Sequence, residues 1–357
     1  MLNQSVLALG KKRSTIREIF EYGNLRAAQV GRENIFDFSL GNPNVPSPDA
    51  VREALLDIVT NQDPVAIHGY TSAQGAPQCR AAIADNLNAR FGTDYTAGQL
   101  YLTVGAAASV SICFKALTAS PEDEFIVFAP FFPEYKVFIE EGAGAKCVIV
   151  PAQVSDFQID FAAFEARLTP HTKGVVVNSP NNPCGVVYSD ETIARLAAVL
   201  ARKSEEYGHP IYLISDEPYR EIVYDGLAAP FVARAYPRTL VCYSYSKSLS
   251  LPGERIGYVL VPQVEEFDDL YAAVCGAGRV LGYVCAPSLF QQVTSLCCEL
   301  TSDLTVYEKN CKLLVTALRE MGYQDVRLID TAEEAFGSHR RAAMMMLGSS
   351  RLLVGRK

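Results

Sequence analysis

Thr239-Leu240-Val241-Cys242-Tyr243-Ser244-Tyr245-Ser246-Lys247 says more about the architecture of this chain than any other stretch. Its first six residues, 239–244, have strand composition and no alternation of apolar with polar residues. Such a run is how a strand reads when both of its faces are covered, as in a parallel sheet. Two serines and a lysine follow at the strand's end, and Arg255 comes eight residues after the lysine.

Six more runs of the same kind lie at 100–104, 124–128, 146–150, 174–178, 211–215 and 257–261. Helical patterns separate several of them. One covers 106–119, and another covers 190–207 with Ile193, Leu196, Ala197 and Leu200 on one face. Alternating strand and helix predicts an α/β fold with a mainly parallel seven-stranded sheet and right-handed crossovers. Polar residues gather just past the strand ends: Gly105, residues 178–182, Asp216 and Lys247. Open α/β sheets bind ligands beyond the carboxyl ends of their strands.

The chain has 357 residues, enough for a large core and about two domains. A net charge of −8 argues against nucleic acid as a partner. Most of the ten cysteines sit in apolar runs and read as reduced core thiols. No Cys-x-x-Cys spacing occurs, and the four histidines are far apart, so no metal site is expected. Lys11, Lys12 and Arg13 follow the first apolar run rather than preceding it, unlike a signal peptide. Residues 270–290 are apolar but carry Gly276, Gly278, Arg279, Gly282 and Pro287, so they read as a buried soluble segment. A cytoplasmic protein without membrane contact is expected. Residues 1–40 read as mixed and helical, and 287–321 as one long helical stretch. The expected division is a large domain over 45–285 and a smaller one from both ends, 1–44 and 286–357.

The polar groups suit one kind of chemistry. Lysine forms a Schiff base with an aldehyde once burial and nearby positive charge free its amine. Asp216 has the charge to pair with a protonated pyridine nitrogen; by itself it reads equally well as a capping residue. Tyr219, three residues on, brings a phenol to the same side of a turn, or else simply packs. Gly105-Ala106-Ala107 opens a helix directly after a strand, where backbone amides meet phosphate. Small residues there also ease packing. Arg255 and Ser244 complete a phosphate cup, and Phe132 offers a ring to stack on, or a core side chain.

The motifs Ser179-Pro180-Asn181-Asn182-Pro183-Cys184-Gly185, Asp216-Glu217-Pro218-Tyr219 and Ser244-Tyr245-Ser246-Lys247 with Arg255 resemble the class I/II aminotransferases of pyridoxal-phosphate fold type I, the aspartate-aminotransferase-like enzymes. Ser39-Leu40-Gly41-Asn42-Pro43, Gly69-Tyr70, Gly75 and Arg80 also fit, so the resemblance spans roughly 14–322. It implies pyridoxal 5'-phosphate as cofactor and transfer of an amino group from an amino acid to a 2-oxo acid. Lys247 would carry the internal aldimine and shuttle the substrate proton, with Asp216 and Tyr219 as its catalytic companions. Asp216 would hold the ring nitrogen, and Tyr219 and Asn182 the ring hydroxyl oxygen. Gly105, Ala106, Ala107, Ser244, Ser246 and Arg255 would surround the phosphate, and Phe132 would stack on the ring. Gly41 and Asn182 would face the substrate. Tyr70 resembles the tyrosine that reaches the neighbouring subunit's phosphate, which implies a homodimer.

Two departures from the family pattern stand out. Cys184 replaces a usual threonine. After about residue 325 nothing matches, and the segment from Thr331 to Lys357 reads as a truncated or frame-altered end. Arg340, Arg341, Arg351 and Arg356 occur there without the motif that marks the family's carboxylate-binding arginine. Alternative readings are a carbon–sulfur β-lyase on the same fold, or a cofactor-binding protein with impaired catalysis.

Overall fold

The computed structural model describes residues 2–11, 15–36, 41–151, 153, 157–223, 228–322, 324–327, 343–347 and 351–356. Side chains are described up to residue 322, apart from 15–17. Ser39, Leu40 and the segment 331–341 lie outside the described residues.

Seven strands form the central sheet: β1 Leu100–Thr103, β2 Glu124–Phe128, β3 Lys146–Val150, β4 Thr172–Asn178, β5 Tyr212–Asp216, β6 Thr239–Ser244 and β7 Gly257–Leu260. Each falls within two residues of its predicted run. Their order is β1-β7-β6-β5-β4-β2-β3. All neighbours pair parallel except β7, which runs antiparallel to both β1 and β6. The connection between β6 and β7 holds one turn of helix, Tyr245–Ser248, and a short 3-10 turn, and β7 returns antiparallel beside β6.

The helices are α1 Gln4–Lys11, α2 Thr15–Val30, α3 Asp49–Asn61, α4 Pro64–His68, α5 Pro77–Phe91, α6 Ala106–Leu117 and α7 Glu134–Val137. They continue with α8 Phe161–Glu165, α9 Asp190–Tyr207, α10 Tyr245–Ser248, α11 Phe267–Leu281, α12 Ser288–Cys297 and α13 Thr305–Glu320. Helices α6 and α11 bury Val110, Phe114, Val274 and Ala277 against one part of the sheet. Helix α9 buries Ile193, Leu196 and Leu200 against another. Full burial of one such aliphatic side chain contributes about 1.5–3 kcal/mol, so these faces hold the layers together. Ser189 caps α9 by accepting from Thr192 N, and Gly208 ends it at φ 71.

The stretch 287–321 is two helices rather than one. Helix α12 ends at Cys297, and the intervening loop is tied elsewhere: Ser302 N donates to the Ser248 carbonyl at 2.7 Å. Val293 and Cys297 of α12 join α3 and α5 in one apolar cluster. Residues 270–290 divide between α11 and α12, with Gly282 at φ 81 between them. Among the described residues, no helix is long and apolar enough to cross a membrane. A second, three-stranded antiparallel sheet has the order β8 (Gln324–Arg327), β10 (Arg351–Arg356), β9 (Ala343–Leu347). Five of the ten cysteines are buried: Cys79, Cys113, Cys184, Cys242 and Cys297.

Candidate active site

Strand register brings the polar residues together. Asn178 pairs with Asp216 across β4 and β5, and Asp216 pairs with Cys242 across β5 and β6. Ser244 and Thr103 both lie opposite Gly257. Because β7 runs backwards, its first residue meets the last residues of β6 and β1. Arg255 and Gly105 are thereby brought side by side. No Cβ fits at Gly257, where it would lie 2.3 Å from the Tyr243 carbonyl.

Asp216 is the last residue of β5, not a helix cap, and a turn follows it. Tyr135 donates its hydroxyl to Asp216 Oδ2, while Asn178 Nδ2 donates to the Asp216 carbonyl at 2.8 Å. Asp216 Oδ1 is buried with no hydrogen-bond partner among the described residues. A buried carboxylate oxygen without a donor is costly, so a donor group brought to it would be stabilising. Burial pushes the carboxyl up to about 7, the Tyr135 hydrogen bond pulls it down, and the Glu217 charge raises it.

Lys247 is half-buried in α10, with Nζ 5.9 Å from the centre of the Tyr219 ring. Burial, and then the charge of Arg255, lower its ammonium to about 8. The Lys247 ammonium donates to the Gly41 carbonyl at 2.5 Å. Asn182 Nδ2 donates to the Tyr219 hydroxyl at 3.1 Å, and Asn182 N donates to Asn178 Oδ1 at 2.6 Å. Tyr219 is buried, which pushes its phenol well above the usual range.

Gly105 N-caps α6 at φ 95, and a Cβ there would lie 2.6 Å from Arg255 Nη2. The guanidinium therefore stands against the open amide end of a twelve-residue helix. That pairing of dipole and cation suits a phosphate. Ser244 Oγ accepts from Ser246 N at 3.1 Å and lies 2.5 Å from Ser246 Oγ. Phe132 is half-buried, edge-on to Tyr135 at 5.6 Å. Tyr70 is not gathered in: it is 89% exposed.

Two participants, Tyr135 and the Glu217–Arg220 ion pair, were not read from the sequence. Asn178 was read among the strand-end polar residues, but not as the partner of Asp216 and Asn182. Tyr135 stands three residues after Phe132, a spacing that puts both on one side of a turn. Asn178 is the polar end of an apolar strand. The Glu217–Arg220 ion pair, 2.5 Å long and buried, had only its i,i+3 spacing as a signal.

The fold and the site define an α/β protein with a half-buried lysine, an aspartate and an arginine gathered at its strand ends. The family model for aminotransferase class I and II matches residues 33–321. The chain belongs to that family. It is 26% identical over 344 residues to the "Probable aspartate/prephenate aminotransferase" of Thermus aquaticus, covering 93% of this chain and 87% of the relative. It is 31% identical over 269 residues to an aspartate aminotransferase of Pyrococcus horikoshii, covering 74% of this chain but 64% of the relative. An aminotransferase structure from Eubacterium rectale matches with a TM-score of 0.87 at 59% identity, covering 91% of this chain and 81% of that one. A Thermus thermophilus aspartate aminotransferase variant matches with a TM-score of 0.75 at 26% identity, covering 91% and 81%.

Proposed function

We propose that this chain is a pyridoxal-phosphate-dependent amino-acid aminotransferase that works through Lys247. The observation that carries the reading is the unpartnered, buried Asp216 Oδ1 in the same strand-end cluster as a lysine lowered to about 8. Pyridoxal phosphate supplies an aldehyde for an amine and a cationic ring that takes up charge from a neighbouring carbon. Asp216 would hold the ring nitrogen, its unpartnered Oδ1 being free to accept an N–H. Asn182 and Tyr219 hold the ring hydroxyl oxygen. The amides of Gly105, Ala106 and Ala107, the hydroxyls of Ser244 and Ser246, and Arg255 hold the phosphate, and Phe132 covers the ring. Lys247 Nζ takes the proton from the substrate α-carbon, which its lowered basicity allows near neutral pH. Gly41 and Asn182 border the substrate. The names of the relatives point to aspartate or a similar acid as the first donor to test.

The assembly belongs to the same proposal. Val65, Tyr70, Val280, Val284 and Leu296 are each more than half exposed, apolar surface that a second copy would cover. Tyr70 then reaches the partner subunit's phosphate. Residues 45–285 form the cofactor-binding unit and the chain ends a smaller one, joined by α12, which packs on α3 and α5. The buried thiols of Cys79, Cys113, Cys242 and Cys297 support a reducing, cytoplasmic setting.

The test is an absorbance spectrum of the purified chain with pyridoxal phosphate. We expect the visible band of a lysine-bound aldehyde, its absence in Lys247→Ala, and its loss on adding a donor amino acid. A band retained in Lys247→Ala would overturn the site.

A further inference from the structure

Resting on that reading, we propose that Glu217 and Arg220 form an internal staple that positions Asp216 and Tyr219 against Lys247. The segment after β5 is a turn without helix or strand. Its backbone is held by few bonds: Glu217 N to the Cys242 carbonyl at 2.8 Å, Arg220 N to the Glu217 carbonyl at 3.2 Å, and Ile222 N to the Tyr219 carbonyl at 2.8 Å. Yet it carries Tyr219 and directly follows Asp216, two of the groups assigned to the cofactor ring.

The staple supplies what the backbone lacks. Glu217 and Arg220 are 2% and 5% exposed. The Glu217 carboxylate accepts from the Ser215 hydroxyl at 2.6 Å and from Arg220 Nε at 2.6 Å. The guanidinium lies 5.3 Å from the ring centres of Phe91 and Phe231 and 4.6 Å from that of Tyr243. Phe91 and Phe231 stack at 4.1 Å. An apolar pair of equal volume would pack about as favourably, but it would not fix direction; a buried, hydrogen-bonded ion pair does.

A second connection reaches the lysine's own segment. Glu221 accepts from Arg90 at 2.6 Å and from the Tyr243 hydroxyl at 2.9 Å. That hydroxyl lies 2.8 Å from Ser248 Oγ, one residue beyond Lys247. The turn and α10 therefore share Tyr243 as a common anchor. Neither Glu217 nor Arg220 is assigned any contact with cofactor or substrate; both are positioning residues.

The experiment uses the full chain loaded with pyridoxal phosphate, with Glu217→Gln and Arg220→Lys as variants. Two readouts are taken: the pH midpoint of the visible band, and the rate of cofactor release into a scavenger. Both variants should melt cooperatively yet shift the midpoint by about 0.5 pH unit or more. They should also release cofactor about tenfold faster, because the ring's partners are displaced. If the unmodified chain shows no band, the cofactor assignment itself fails. If it shows the band and both variants keep its midpoint and release rate, the staple has no positioning role. If neither variant folds, the pair is a folding element only, and the proposal is likewise overturned.

Discussion

At Asp216, burial and hydrogen bonding act in opposite directions, and burial prevails, with the carboxyl raised from 3.8 to about 7. Without cofactor, the folded chain holds a proton there that the unfolded chain has already released. Stability therefore falls as pH rises from about 4 to about 7, and the penalty is complete above that. At 1.36 kcal/mol per unit, cofactor-free Asp216→Asn should be more stable than the unmodified chain above pH 7 by roughly 2–4 kcal/mol. The advantage should vanish near pH 4; urea unfolding across this range measures it, and a pH-independent difference would contradict the argument. Lys247 has the opposite sign. Its lowered ammonium costs stability below about pH 8 and recovers it towards 10.5. Lys247→Met should stabilise the cofactor-free chain by about 1–2 kcal/mol at pH 7, less than the full shift because water screens a half-buried amine. The gain should shrink as pH rises.

Helix α6 shows what a single element contributes. Its amides are open because Gly105 adopts φ 95, a conformation that side chains rarely take, with Arg255 filling the space a Cβ would need. Gly105→Ala should cost about 1–3 kcal/mol in backbone strain. It should also weaken pyridoxal-phosphate binding at least tenfold by pushing the guanidinium away. Equilibrium titration of the band against cofactor reads this, and unchanged affinity would remove Gly105 from the phosphate cup. The strands were legible because two-sided burial writes a continuous apolar run. The reversed direction of β7 was not, since composition carries no direction. The break between α12 and α13 was also hidden: both flanks are apolar and helical, and the loop is held by distant contacts, Ser302 to Ser248 and Ser250.

For the whole molecule, the exposed apolar residues on α4, α11, α12 and the loops beside them carry the prediction. A lysine at Val284, 60% exposed, should split the expected homodimer, as sedimentation velocity will report. On the proposed shared site, cofactor release should then quicken, because Tyr70 would no longer reach a partner's phosphate. A monomeric unmodified chain would refute the shared-site arrangement. The residue order by itself determined the layer architecture, the strand ends and the lysine, aspartate and tyrosine to watch, because burial pattern and motif spacing are local. Only folding could reveal the Tyr135 donor to Asp216, the unpartnered carboxylate oxygen, the Gly105–Arg255 contact and the Glu217–Arg220 staple. Those depend on side chains from separate strands meeting in space, where burial and charge set chemistry that no single stretch contains.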